Sequence, residues 1–311
     1  MNRILSALLF VSLLAGCGVS ELEVDEHDGA DQVTDADDSL SATSQSWTTI
    51  RRDLRKCASP YCGGYFVRDL NRATVTEKYV ARLDLSATGL SDVDQAKVTG
   101  AGDFELVLRG KLGPIDTATN TRAFLVTEAY RGMPGVTALA TDTFYQAGHR
   151  SPQITCITAP CNNEVATSLN HSSTKVYFTS YSVKGASKQW VDQNWLASRV
   201  EEHGAIVAAH FSNGQSYAGG PEKVLDASQV FIRLPEHVGP CMMLMEPHCD
   251  TGKVSVYTRT QDRCTLHTAC VQPGMCPMFM PACEAGYTLM SFRSGKNACN
   301  SYACDPTFTV Q

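Results

Sequence analysis

Thirteen cysteines are the residues of this 311-residue chain best able to do chemistry. A thiol can be acylated, oxidised in pairs or bound to a soft metal, and spacing decides which. Cys17 stands apart from the other twelve, Cys57, Cys62, Cys156, Cys161, Cys241, Cys249, Cys264, Cys270, Cys276, Cys283, Cys299 and Cys304. An even set is what an oxidising compartment leaves when every thiol is paired. A zinc knuckle would need Cys-x-x-Cys, which is absent. Methionine is the second soft ligand type, and five of the nine lie in two short runs, Met242-Met243-Leu244-Met245 and Met278-Phe279-Met280. With His248 these thioethers could hold Cu(I).

Nothing completes a catalytic pattern. Gly214-Gln215-Ser216-Tyr217-Ala218 lacks the second glycine of a nucleophile elbow, and neither His-Glu-x-x-His nor a phosphate-cradling glycine loop occurs. His203 and His210 are seven positions apart around Gly204, a poor spacing for a helical metal pair. The expectation is a protein that is not an enzyme and carries no cofactor and no resident metal.

Cysteine spacing also outlines the carboxy-terminal region, 241–311. Cys241-x₇-Cys249-Asp-Thr-Gly252-x₁₁-Cys264-x₅-Cys270 is followed by Cys276-x₆-Cys283-Glu-Ala-Gly286-x₁₂-Cys299-x₄-Cys304, two four-cysteine modules in series. Each glycine leads into an alternating strand, Lys253 to Tyr257 or Tyr287 to Phe292. Modules of this size need staples in place of a core, and four cysteines allow three connectivities, among which spacing does not choose. The Met-rich runs fall between the first two cysteines of each module. They either pack inward, filling irregular gaps as Met does, or form disulfide-framed contact loops that present apolar side chains at low ordering cost. The second module resembles antistasin-type inhibitor modules in its Cys-x-x-Gly step, without their Cys-x-x-Cys-x-Cys ending. That resemblance covers under a tenth of the chain and implies a protease inhibitor as the alternative function.

The amino terminus reads as an export signal over 1–17, with Arg3 ahead of an apolar run from Ile4 to Ala15. That run is too short to span a bilayer. Leu14-Ala15-Gly16-Cys17 resembles the bacterial lipobox, which implies acylation of the Cys17 thiol and anchoring without a transmembrane helix. Residues 18–46 hold nine acids and no Lys, Arg or aromatic residue, a composition that cannot bury a core and reads as a disordered, self-repelling tether. Setting Arg3 and those nine acids aside leaves 25 basic and 23 acidic residues in 47–311, so the body is nearly neutral and no basic stripe suggests nucleic acid.

Within the body the sequence repeats. Cys57-Ala-Ser-Pro-Tyr-Cys62 recurs as Cys156-Ile-Thr-Ala-Pro-Cys161, and Leu70-Asn71 recurs as Leu169-Asn170 at the same 99-residue offset. Val93-Asp94-Gln95 matches Val191-Asp192-Gln193, and the apolar runs at 104–110 and 124–132 match those at 205–214 and 230–239. Two tandem copies, 47–140 and 141–240, account for this order. Short Val-, Phe-, Tyr- and Thr-rich runs between Gly, Asn and Asp predict an antiparallel sandwich or barrel in each, interrupted by one helix, over 189–203 in the second copy, with its Trp residues in the core. The fold class is mainly β: two related antiparallel β domains followed by a small disulfide-rich region.

Arg51-Arg52-Asp53-Leu54-Arg55-Lys56-Cys57-Ala58-Ser59-Pro60-Tyr61-Cys62-Gly63-Gly64-Tyr65-Phe66-Val67, with Asn71 and the later Cys156 to Cys161 segment, resembles a family of uncharacterised bacterial lipoproteins defined by a domain of unknown function. The resemblance covers about 47–240 and implies location and fold without an activity. It also implies a further cysteine pair near Thr74 to Tyr79, which this chain lacks. The functional expectation is a non-enzymatic lipoprotein of the bacterial cell envelope, at the outer membrane or cell surface, held to the membrane by Cys17 and acting as a binding or structural surface protein of unknown ligand, with a protein in the envelope or outside the cell as the candidate partner. A protease inhibitor is the alternative, and a periplasmic copper-binding protein the lesser one.

Overall fold

The computed structural model describes residues 43–72, 76–150, 155–236, 241 and 247–310; Cys17, the tether up to residue 42 and the Met242, Met243, Leu244, Met245 run lie outside them. The first half threads β1 (Ser46–Arg52), β2 (Tyr65–Asp69), β3 (Glu77–Val80), β4 (Arg82–Asp84), α1 (Asp92–Thr99), β5 (Leu106–Asp116) and β6 (Thr121–Gly132). The second repeats the series as β7 (Thr143–His149), β8 (Glu164–Ser168), β9 (Lys175–Phe178), β10 (Ser180–Ser182), α2 (Gln193–Glu201), β11 (Ile206–Tyr217) and β12 (Gly220–Leu234). All twelve strands belong to one sheet, ordered β3-β2-β1-β5-β6-β12-β11-β7-β8-β9, with β4 on β6 and β10 on β12. Read from either end, the two halves enter this sheet in the same order.

Each half also curls onto itself. Only Ala81 separates β3 from β4, and β4 runs parallel to β6 through Phe124, so the sheet bends round and meets its own last strand. The bend demands a close approach of backbones at Gly64, where a Cβ would lie 2.2 Å from the Val80 carbonyl oxygen. In the second half β10 meets β12 in the same parallel manner. The halves join along an antiparallel seam in which Gly132 faces Phe231 and Ala129 faces Leu234.

Central strands explain the packing. Leu106-Val107-Leu108 on β5 and Ile206 to Ala209 on β11 are buried without alternation, as strands covered on both faces must be. Alternate residues feed two clusters. The larger contains Leu106, Leu108, Val207 and Ala209 with Trp195 and Phe124, while the smaller gathers Val107, Tyr130 and Leu70 from the first half with Ile206, Phe231 and Leu169 from the second. The segments expected as separate domains therefore share a sheet and a core.

Asn71 and Asn170 close the same contact from both sides. Each adopts a left-handed backbone, φ 55° and 62°, a conformation Asn tolerates better than most residues. The Asn71 amide donates to the Phe144 and Leu169 carbonyls at 2.8 and 2.9 Å and accepts from the Phe144 N–H, while Asn170 does the same with Trp47 and Leu70.

Helix starts differ from the sequence alignment. Ser91 caps α1 by accepting from the Asp94 N–H, and Asp192 caps α2 by accepting from Asn194 and Trp195. The pairing of Asp94 with Asp192 is thus three positions out of register. The cap also corrects the helix expected over 189–203: it begins at Gln193, leaving Trp190 ahead of it at φ 71° and 39% exposed, while Trp195 is fully buried. Of the tryptophans expected in the core, Trp190 is not there.

Two hairpins complete the chain, β13 (Val254–Arg259) with β14 (Thr265–Val271) and β15 (Tyr287–Ser294) with β16 (Cys299–Pro306). Both use the same pairing, first cysteine to third and second to fourth: Cys241–Cys264 and Cys249–Cys270, then Cys276–Cys299 and Cys283–Cys304. Cys57–Cys62 and Cys156–Cys161 close the two short rings in the sheet region.

Candidate functional site

The hairpins are fastened to the second half by charge. Arg199 on α2, with its side chain 2% exposed, lies 3.3 Å from both Glu236 and Asp262. Arg263 reaches Glu236 at 2.5 Å and Asp305 at 3.7 Å, and Arg259 reaches Asp305 at 2.5 Å and Asp192 at 3.4 Å. The Trp195 indole N–H donates to Glu236 at 2.7 Å, and Arg263 lies over the Trp195 ring. Burying charges costs desolvation that only mutual pairing offsets, so these residues fix one arrangement of hairpins on helix. Further contacts agree. The Tyr287 hydroxyl donates to the Pro134 carbonyl at 3.0 Å, its pKa pushed up by burial and the nearby Glu284, and the Cys304 N–H donates to the Trp190 carbonyl at 2.9 Å.

This docking leaves a groove of about 430 Å³ between residues 190–194, β13 and the β15–β16 hairpin. Trp190, Tyr257 and Phe292 line it, with Asp192, Asn194 and Arg259. Register explains the set. Tyr257 and Arg259 are two apart on β13 and share a face, and Phe292 pairs with Ser301 on the same face of its hairpin as Asp305. The Arg259 side chain is 7% exposed, and its Nη1, though near Asp192, makes no hydrogen bond with protein.

At the rim, Phe279 packs on Trp190 with ring centroids 5.5 Å apart. That contact brings the Met278-Phe279-Met280 run to the groove. Met278 is fully exposed and Met280 71% exposed, so this run is an outward loop and does not fill gaps in the body. Neighbouring Met275 is 95% exposed. Sequence reasoning missed the groove itself, because Trp190, Tyr257, Arg259 and Phe292 are scattered over about a hundred positions and meet only through the ion network. The one available signal was the Trp190 position just ahead of a capping Asp.

Other clusters offer less. A cleft of about 750 Å³ beside α2 includes Glu128, Arg199, His203, Arg233 and Glu236, whose charges largely satisfy one another: Arg233 reaches Glu128 at 3.5 Å. Asp142 lies between His210 and Ser228, accepting from the Ser228 hydroxyl while lying 3.2 Å from the imidazole. The hydroxyl proton therefore points to a carboxylate and away from the imidazole, the wrong order for an activated nucleophile. Cys249, His267 and Cys270 gather within metal-ligating distance, but both sulfurs are spent in the Cys249–Cys270 disulfide.

Comparison with known proteins agrees with the architecture. Residues 46–237 match a family described as Domain of unknown function (DUF6748), a span that holds the whole twelve-stranded sheet. An uncharacterized protein of Dictyostelium discoideum is 31% identical over 262 residues, covering 81% of this chain and 84% of its own length. That alignment is longer than the matched domain, so the likeness runs beyond it. No solved structure matches.

Proposed function

The chain belongs to the family of the domain of unknown function DUF6748, and from that premise we propose that it is an extracytoplasmic protein that works by binding, with no catalytic step. The observation carrying this reading is the groove between α2 and the hairpins, where an exposed apolar loop, an aromatic lining and an incompletely hydrogen-bonded arginine converge. Six disulfides support an oxidising compartment. In this reading the acylated Cys17 holds the protein at the cell envelope, and the acidic tether lets the groove face outward. The two halves are copies of one ancestral unit, a view supported by their matching strand order and the paired roles of Asn71 and Asn170.

Two experiments test the proposal. Capture from envelope extracts on the full chain should yield material that is lost when Trp190→Ala and Phe279→Ala are combined; an unchanged capture profile would refute binding at the groove. Cys17→Ser should move the protein from the membrane fraction to the soluble one, and retention at the membrane would refute the anchor.

The exposure of Met278 favours one second reading, inhibition of a protease. The loop at 277–282 is framed by Cys276 and Cys283, each bonded into the second hairpin, so it presents an apolar side chain with little left to order. Serine proteases and metalloproteases incubated with the protein at micromolar concentration would lose activity; full activity across the panel rules this reading out.

A further inference from the structure

We propose that the groove takes a neutral carbohydrate, an inference that deepens the binding reading and rests on it. The floor decides the ligand's charge. Arg259 Nη1 and Asp192 Oδ2 lie 3.4 Å apart at the base of the groove. A carboxylate or phosphate approaching Arg259 meets the Asp192 charge, and an ammonium approaching Asp192 meets the guanidinium. A ligand hydroxyl meets neither difficulty, because it both donates and accepts. The ion pair presents the groove with balanced charge, and Asn194, Ser294 and Ser301 on its lining supply donors and acceptors for such hydroxyls.

The walls decide the rest of its character. Trp190, Tyr257 and Phe292 offer ring surfaces whose electron-rich faces attract the C–H-bearing face of a pyranose ring. Trp190 is 39% exposed and held by Phe279 on one side and by the Cys304 N–H on its own carbonyl, so it is an ordered platform. Asn194 and Ser301 add an amide and a hydroxyl at the edge. Apolar faces beside paired donors and acceptors are the complement of a sugar, which is apolar on its ring face and hydroxylated round its rim. The volume, about 430 Å³, lies within the range of small-molecule sites.

Native electrophoresis of the full chain through gels containing mannan, galactan, β-1,3-glucan, β-1,4-glucan or glycol chitin tests the inference, with polygalacturonate as the anionic comparator. At least one neutral polysaccharide should retard the protein and polygalacturonate should not. Trp190→Ala and Phe292→Ala should each weaken that retardation about tenfold, the loss expected for an aromatic anchor. Asn194→Ala, at an exposed helix position, repeats the test without touching the core. No retardation by any neutral polysaccharide overturns the inference, as does equal retardation of the wild type and all three variants, or equal retardation by polygalacturonate. Groove-dependent capture of a protein from envelope extracts, with no polysaccharide binding, would overturn the carbohydrate and leave the binding reading intact.

Discussion

Asn71 and Asn170 show how much one side chain can carry when its backbone, donors and acceptor are all engaged. Each joins the two halves through three amide contacts from a left-handed position. Asn170→Ala should cost about 2–3 kcal/mol, because the Trp47 N–H and the Leu70 carbonyl lose their side-chain partner and alanine at positive φ has no compensating bond. Urea denaturation measures this, and a loss below about 0.5 kcal/mol would remove the asparagine from its structural role. Glu236 stands in a different position, since it balances Arg199 and Arg263, both of them largely buried. Glu236→Ala should destabilise by about 3 kcal/mol, since Arg199 keeps Asp262 and Arg263 keeps Asp305 but both lose their shared partner, and a double mutant also lacking Arg263 should recover part of it. The repeated Leu-Asn pair was visible in the sequence as a match at fixed offset. Its meaning was not, because reciprocity between halves exists only once the seam has formed. The same holds for Arg259 and Asp192, whose juxtaposition depends on how a hairpin docks.

Strands, helices and hairpins were more legible than the contacts between them. Val- and Leu-rich runs between turn residues marked β5, β6, β11 and β12, and the repeated cysteine spacing marked both hairpins. Connectivity was not readable, because it depends on which cysteines the hairpin ladder brings together. The first-to-third, second-to-fourth pattern follows from placing Cys299 at the start of β16 and Cys304 five residues along it, opposite Ser294 and Leu289. Replacing Cys276 and Cys299 together by serine should remove about 3 kcal/mol by loop-closure entropy. It should open the loop at 277–282 to proteolysis while the sheet keeps its melting temperature; parallel loss of both would show that the hairpin and sheet unfold together. The strand edge at β3 carries its own pH response. A hydrogen bond from Arg51 holds the Glu77 carboxyl below its ordinary 4.5. Because the folded pKa is lowered, the pair stabilises at pH values above 4.5 and that contribution fades as pH falls through the folded value. Wild type should therefore lose melting temperature more steeply than Glu77→Gln below pH 4.5, and parallel acid limbs would dismiss the pair's contribution.

Across the whole molecule, one sheet replaces the two independent domains that the repeat suggested. Sequence periodicity reports which residues are buried and leaves open what buries them; Val107, Ile206 and Phe231 read as core in any arrangement, yet they meet across the halves. Calorimetry on the full chain should accordingly give a single transition for the twelve strands, with van't Hoff and calorimetric enthalpies in agreement. Two resolved transitions for the halves would contradict the shared core.

The position of β1 has a mechanical consequence. It follows directly on the acidic segment, yet it lies between β2 and β5, with Thr48 paired to Asp69 on one side and Leu108 on the other. Tension arriving from the amino-terminal direction enters the body through a strand held on both flanks, and Asn170 grips its second residue, Trp47, from the far half. The load is spread over two ladders and a cross-brace at once, so a pull strong enough to free this strand must break both ladders together, and cannot peel it from an edge.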